Sequence, residues 1–229
     1  MLQSINKKKI YLYLLFFIFL TTISNNDLSN IIKKKFIINQ INIQTNSKEI
    51  DDKIKTKLDY LNNEKIFFNN KNEILNKIKE LNFIENIQVK KKYPSRIVIN
   101  AIKTELLAST FIDQKKYFVG NNGNFISSKY FKDKKNLPII FGQFEIQDYI
   151  KLQKILKKND INPKKILKYN FHKNKRWDLY FYDNKIILLP QENINKALKN
   201  FKNFESNYKI LSNSIIDLRI KNRIILSNG

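Results

Sequence analysis

The chain has 229 residues and a formal charge of +23, from 43 basic and 20 acidic residues. It has no cysteine, which excludes disulfide staples, thiol chemistry and Cys/His metal clusters, so the fold must rest on its apolar core. The charge argues weakly for nucleic acid, because 39 of the 43 basic residues are Lys scattered along every element, in a composition rich in Asn, Ile and Phe and poor in Gly and Pro that follows drift toward A/T-rich codons.

The first element is the apolar run Ile10–Ile23 (IYLYLLFFIFLTTI), with Lys7, Lys8 and Lys9 before it and no basic residue after it until Lys33. That asymmetry puts the N-terminus in the cytoplasm and the bulk of the chain outside it. The expected partition is a cytoplasmic tail over 1–9 and a transmembrane anchor over 10–26. The run is short for a span, which needs about 20 residues. A cleaved signal peptide has the same charge pattern, although Thr22-Ile23-Ser24 is a poor cleavage site. A buried core helix is the third reading; the first two export the remainder and allow a basic surface to lie near an anionic membrane.

A first module follows, expected over 33–104. Phe36–Ile43 alternates as a strand with Ile37, Ile41 and Ile43 inward. Ser47 is placed to cap a helix whose first turn holds Glu49, Asp51 and Asp52, and Ile50, Ile54, Leu58 and Leu61 recur at helical spacing. Asn70, with Glu73 three residues on, signals a second helix lined by Ile74, Leu75, Ile78 and Leu81. Ile87 and Val89, then Ile97, Ile99 and Ala101, alternate on either side of Tyr93-Pro94-Ser95 and predict a hairpin. The order is strand, helix, helix, strand, strand.

A second module is expected over 105–229. Tyr117–Val119 and Phe125–Ile126 flank the turn GNNG. Leu137–Gly142 breaks the pattern with Pro138 and Gly142. Glu145–Lys158 reads as a helix, Trp177–Phe181 and Ile186–Leu189 as a hairpin, and Gln191–Tyr208 as a second helix. Ile215–Leu218 and Arg223–Leu226 form a final strand pair. The fold class is α+β: a single N-terminal membrane helix, a β-α-α-β-β domain, then a mainly antiparallel β domain with two helices.

These residues resemble the FtsQ/DivIB cell-division family, with its N-terminal membrane anchor, POTRA domain and C-terminal β domain. Leu81–Val89 resembles the family's step from helix into strand. Tyr93, Pro94 and the aliphatic residues after them resemble its aromatic-Pro turn. Leu137, Pro138 and Gly142 resemble its Leu-Pro-x-x-x-Gly element, and Asp217, Leu218 and Arg219 its Asp-Leu-Arg strand. The chain departs from the family before the β domain, where Lys103 and Leu106 stand in place of an acid and a Pro. The resemblance implies a divisome scaffold in the cell inner membrane, N-terminus cytoplasmic and bulk periplasmic, at the division septum. It would bind FtsB and FtsL and help control septal peptidoglycan synthesis. Another POTRA-bearing transport or assembly accessory, and a secreted basic binding protein, are the rival readings.

No catalytic, cofactor or metal constellation is expected: His172 is the only histidine, and GNNG lacks the spacing of a phosphate loop. Binding is expected at an exposed sheet edge, where a partner can add a strand. The resemblance puts partner contacts at Arg176, Ile220, Asn222, Arg223, Ile224, Ile225 and Leu226, at the last strand before Gly229. Asp217 and Arg219, two apart, face one side and are expected to hold that strand's geometry. In the first module, the edge Ile37–Ile43 and the helix Asn70–Leu81 offer a second contact surface.

Overall fold

The computed structural model describes residues 7–22, 26–131, 136–208 and 210–228. They cluster into two compact units: residues up to Leu81 with Asn86–Lys103, and Asn82–Glu85 with the chain from Thr104 onward.

The first unit opens with α1 (Lys7–Thr22), an apolar helix of 16 residues whose described side chains are exposed. Among the described residues no helix is long and apolar enough to cross a membrane. The anchor expected over 10–26 runs into residues 23–25, which lie outside the described residues. Helix α2 (Asn26–Lys35) stands where no element was expected, and Lys33–Lys35 in its last turn suit the negative end of its dipole.

The strand expected from Phe36 starts later, as β1 (Gln40–Gln44). The amides of Phe36 and Ile37 bond back to the Lys33 and Lys34 carbonyls, and Ile37 makes an isolated bridge with Lys65. Ile38, rather than Ile37, is therefore the buried residue, at 1% exposure. Helix α3 (Lys48–Lys57) starts after Ser47, whose side chain makes no capping bond. Thr45 takes over locally: its Oγ1 accepts from the Ser47 amide at 3.0 Å and donates to Asp51 Oδ1 at 2.6 Å. Helix α4 (Lys71–Lys79) has the expected cap, Asn70, accepting from the Asn72 amide. Strands β2 (Ile84–Lys92) and β3 (Arg96–Lys103) flank the Tyr93–Ser95 turn, and the sheet order is β1-β3-β2 with β1 parallel to β3. Ile50, Ile54, Leu58, Leu61, Ile74 and Ile78 bury completely, as do Ile97 and Ile99. Helical and strand periodicities thus put their apolar stripes into buried positions.

The second unit is one sheet of nine strands. In chain order they are β4 (Leu106–Ile112), β5 (Lys115–Gly120), β6 (Phe125–Ser127), β7 (Ile139–Phe141), β8 (Ile166–Phe171), β9 (Trp177–Phe181), β10 (Ile186–Leu188), β11 (Ser214–Asp217) and β12 (Ile225–Asn228). In space they run β12-β11-β10-β9-β8-β7-β4-β5-β6. Strands β4, β7 and β8 were not expected. Three pairings are parallel, β4–β7, β7–β8 and β10–β11, so the sheet is mixed though mainly antiparallel. The cause is connectivity. Helix α5 (Ile146–Lys158) joins β7 to β8 and α6 (Ile194–Asn207) joins β10 to β11, and parallel neighbours require such crossovers. The two crossovers run between equally directed strands and step the same way along the sheet. The common right-handed rule then puts both helices on one face. There Tyr149, Leu152, Leu156, Leu198 and Phe201 share a buried cluster with Ile140, Tyr169, Trp177, Leu179, Ile187 and Ile216.

At its other end the unit grips Asn82–Glu85. Asn122 Nδ2 donates to the Asn82 carbonyl at 2.8 Å, Asn82 Nδ2 to the Phe125 carbonyl at 2.7 Å, and the Thr104 amide to the Phe83 carbonyl at 2.9 Å. Phe83 is fully buried beside Phe131 and Tyr130. The GNNG turn thus closes a hairpin and also holds a neighbouring segment of backbone.

Gly142 ends β7 with φ +99°, and a Cβ there would lie 2.1 Å from the Phe171 carbonyl oxygen. Only glycine fits both conditions. Gly142→Ala is expected to destabilise by about 3 kcal/mol, lowering the melting temperature by roughly 10 °C. Thermal unfolding beside the exposed-neighbour control Gln143→Ala measures this. Equal melting temperatures for the two variants would refute it.

Candidate edge-strand binding site

The period-2 alternation of β9–β11 builds the site. Trp177, Leu179, Ile187 and Ile216 turn toward the helices, so the intervening residues turn to the other face. Cross-strand register then aligns Asn170, Asp178, Leu188, Asp217 and Ile225 in one row from β8 to β12. Strand β12 ends the sheet. No described strand pairs with its outer side, and Ile225–Asn228 are all exposed.

Charges gather along that row. Arg219 grips Asp217 in a fork, with Nε donating to Oδ1 at 2.8 Å and Nη2 to Oδ2, while the Arg219 amide also donates to Oδ1. These Arg219 bonds hold the Asp217 carboxyl below the usual carboxylate range, with partial burial opposing and Arg176 contributing more remotely. The same pairing raises Arg219 above its ordinary value. Deeper in, Asp178 is 5% exposed; its Oδ2 lies 2.5 Å from His172 Nε2 and its Oδ1 lies 3.6 Å from Arg176 Nε. Arg176 Nε and Asp178 Oδ1 are buried with no hydrogen-bond partner among the described residues.

The turn from β11 to β12 carries the remaining expected residues. Leu218 is buried, Ile220 is 48% exposed, Asn222 adopts φ 59°, and the Arg223 amide bonds to the Ile220 carbonyl. Ile224 is half-buried against the core. The last strand, expected over Arg223–Leu226, runs instead over Ile225–Asn228, because the turn consumes Arg223 and Ile224. Beside this turn, a groove of about 590 Å³ separates it from the start of α6, lined among others by Lys196, Asn200, Arg219, Ile220 and Arg223.

The structure therefore brings Asp217, Arg219 and Ile225 together at one sheet margin, while Arg176 sits three strands in, against Asp178. Tyr93 and Pro94 turn the first unit's hairpin, while Leu137 and Pro138 lead into β7, where the Pro138 carbonyl accepts from the Ser109 amide. These are structural positions away from the margin. Asp178 and the role of His172 were missed. The signal was available, since an acid between Trp177 and Leu179 must face away from the core. Among the described residues no group of three His, Asp or Glu side chains could hold a metal.

Two family models match this architecture in succession: the FtsQ-type POTRA domain over residues 36–101, and the C-terminal domain of cell division protein FtsQ/DivIB over residues 111–219. The chain belongs to the FtsQ/DivIB family. It is a cell-division protein with an FtsQ-type POTRA domain and a sheet domain. The second FtsQ/DivIB match ends at Arg219, so it takes in Arg176 and Asp217 and stops short of β12. No curated protein matches the chain. A solved structure of the major extracytoplasmic domain of the trans isomer of DivIB, from Geobacillus stearothermophilus, matches at 12% identity. It covers 47% of this chain and 89% of that one with a TM-score of 0.31, a likeness too loose to carry inference.

Because the folded Asp217 carboxyl lies below its unfolded value, its stabilising contribution is present above about pH 4 and is lost as pH falls through the folded value. Asp217→Asn is expected to cost about 1 kcal/mol at neutral pH, a low figure for a charged pair because the Arg219 side chain is 40% exposed. The difference from wild type should shrink as pH falls below about 4. Denaturant unfolding across an acid pH series checks this, and a difference constant with pH would rule out the ion pair as its source.

Proposed function

We propose that the chain is a non-enzymatic divisome scaffold of the inner membrane. The segment around α1 serves as a single-pass anchor with the N-terminus cytoplasmic. A POTRA-like domain (33–104) and a β domain (105–229) work in the periplasm at the division septum. There the β domain docks FtsB and FtsL-like proteins and so helps control septal peptidoglycan synthesis.

One observation carries this reading: no described strand pairs with the outer side of β12, whose residues Ile225–Asn228 are all exposed. A free edge offers a row of N–H and C=O groups to an incoming strand. Next to the edge, the Asp217–Arg219 fork fixes the turn that leads into β12. Arg223, Lys196 and Lys221 line the groove against the single acid Glu192, while Arg219 is paired with Asp217, and this balance favours an acidic stretch on the partner. The anchor reading is supported by α1 itself, apolar on every side and exposed along its described length. A helix of that kind is stable only against lipid or protein.

The test uses the parity of a strand. Along β12 one residue points its N–H at β11 and the next points it outward, so Ile225→Pro and Leu226→Pro must differ. One variant is expected to lower stability. The other should leave stability near wild type while weakening binding of a partner's periplasmic segment at least tenfold, or about 1.4 kcal/mol. Fluorescence anisotropy on the full chain, with melts in parallel, separates the two. If neither proline weakens binding, strand addition at β12 is wrong.

A further inference from the structure

Three separate stretches of the POTRA-like unit bring aromatic rings to one exposed place. Phe36 leaves the last turn of α2, Phe67 and Phe68 lie ahead of α4, and Tyr93 turns β2 into β3. The Phe67 ring lies 4.8 Å from Phe36 and 5.1 Å from Tyr93, stacked within 25° on the latter. Yet Phe67 is 56%, Tyr93 57% and Phe68 80% exposed. Clustered exposed aromatics mark a contact surface. Each stretch also arrives through lysine: Lys33–Lys35 before Phe36, Lys65 before Ile66, and Lys90–Lys92 before Tyr93, with Glu64 the one acid in these flanks. The Lys65 ammonium sits 5.5 Å above the Phe68 ring.

We infer that this aromatic–lysine platform rests in the headgroup layer of an anionic bilayer. The inference builds on the anchored reading of α1. Helix α1 ends at Thr22, only residues 23–35 separate it from Phe36, and the ten residues of α2 span about 15 Å. The platform is thus tethered within reach of any membrane that receives α1. Its chemistry matches that layer. Aromatic rings concentrate at the lipid–water boundary, and lysines lay apolar stems beside them while the ammonium groups meet anionic headgroups. A protein partner would have to supply both an apolar pocket and a rim of acids. A bilayer containing anionic lipid supplies both without specific design. The platform would fix how the POTRA-like unit stands on the membrane.

The absence of cysteine allows single-site labelling of the full chain. F68C, and K79C at the far end of α4 from Phe68, are labelled with an environment-sensitive fluorophore. Each is reconstituted into vesicles of phosphatidylcholine alone or with added phosphatidylglycerol. The label in F68C is expected to shift to the blue and become shielded from an aqueous quencher in the anionic vesicles, while the label in K79C stays in water. Adding K65Q to F68C should lower the ratio of shielded to quenchable label about fivefold while the chain still floats with the vesicles. If the chain floats with the vesicles but the label in F68C is as quenchable as that in K79C, the platform is wrong and the anchor stands. If the chain does not float with the vesicles, the anchor is wrong and the platform falls with it. Shielding that follows protein density, whatever the lipid charge, means a protein contact and overturns the proposal.

Discussion

The alternation of apolar side chains along β9, β10 and β11 is the constraint on which the second unit depends. Trp177, Leu179, Ile187 and Ile216 must all face α5 and α6, because that is where their apolar area leaves water. A slip of one residue in any of these strands would turn Trp177 or Ile216 outward and bring Asp178 or Asp217 into the core. Core packing therefore fixes the register of the charged row on the other face. Asp178, Asp217 and Arg219 gain their geometry from residues they do not touch.

The same packing explains why the sheet keeps a usable margin. Both crossover helices lie over one face, so neither reaches around to cover β12. The strand stays flat against β11 through four register pairs from Ser214–Asn228 to Asp217–Ile225, and the Asp217–Arg219 fork ties down the turn that feeds it. A rigid edge loses less conformational freedom on pairing than a floppy one, which favours binding before any side chain is considered.

Much of this was legible in the residues themselves. The POTRA-like unit could be read because its periods are clean: Ile50, Ile54 and Leu58 on one helix face, Ile97, Ile99 and Ala101 on one strand face. The failures have specific causes. Ile37 and Ile38 are both apolar, so alternation alone could not choose between them. The choice fell to α2, whose last turn captures the Phe36 and Ile37 amides. Strands β4, β7 and β8 were missed because central strands covered on one face and paired on both sides tolerate mixed patterns such as Leu-Leu-Ala-Ser-Thr, which carry little period-2 signal. Ser47 sat at the right position, but the Ile50 and Asp51 amides bond its carbonyl and Thr45 Oγ1 takes its amide, so its side chain makes no cap. At the site, Asp217 and Arg219 could be seen to share a side, whereas the approach of Arg176 and His172 to Asp178 depends on the hairpin between β8 and β9 folding back. No short pattern encodes that.

Strand addition recognises backbone, and this limits what β12 can specify. Ile225, Leu226, Ser227 and Asn228 present the same N–H and C=O spacing as any other four residues would. An edge of this kind accepts many strands, and accepts them promiscuously unless something nearby discriminates. The discriminating groups must lie beside the strand, and that is where charge gathers on this surface: Arg219 and Arg223 on the turn, and Lys196 across the groove. A wrong strand would set its own lysines against these cations, and a right one would oppose them with acids. On this reading affinity is distributed along the backbone of β12, while selectivity is concentrated in a few charged side chains that are not in the strand.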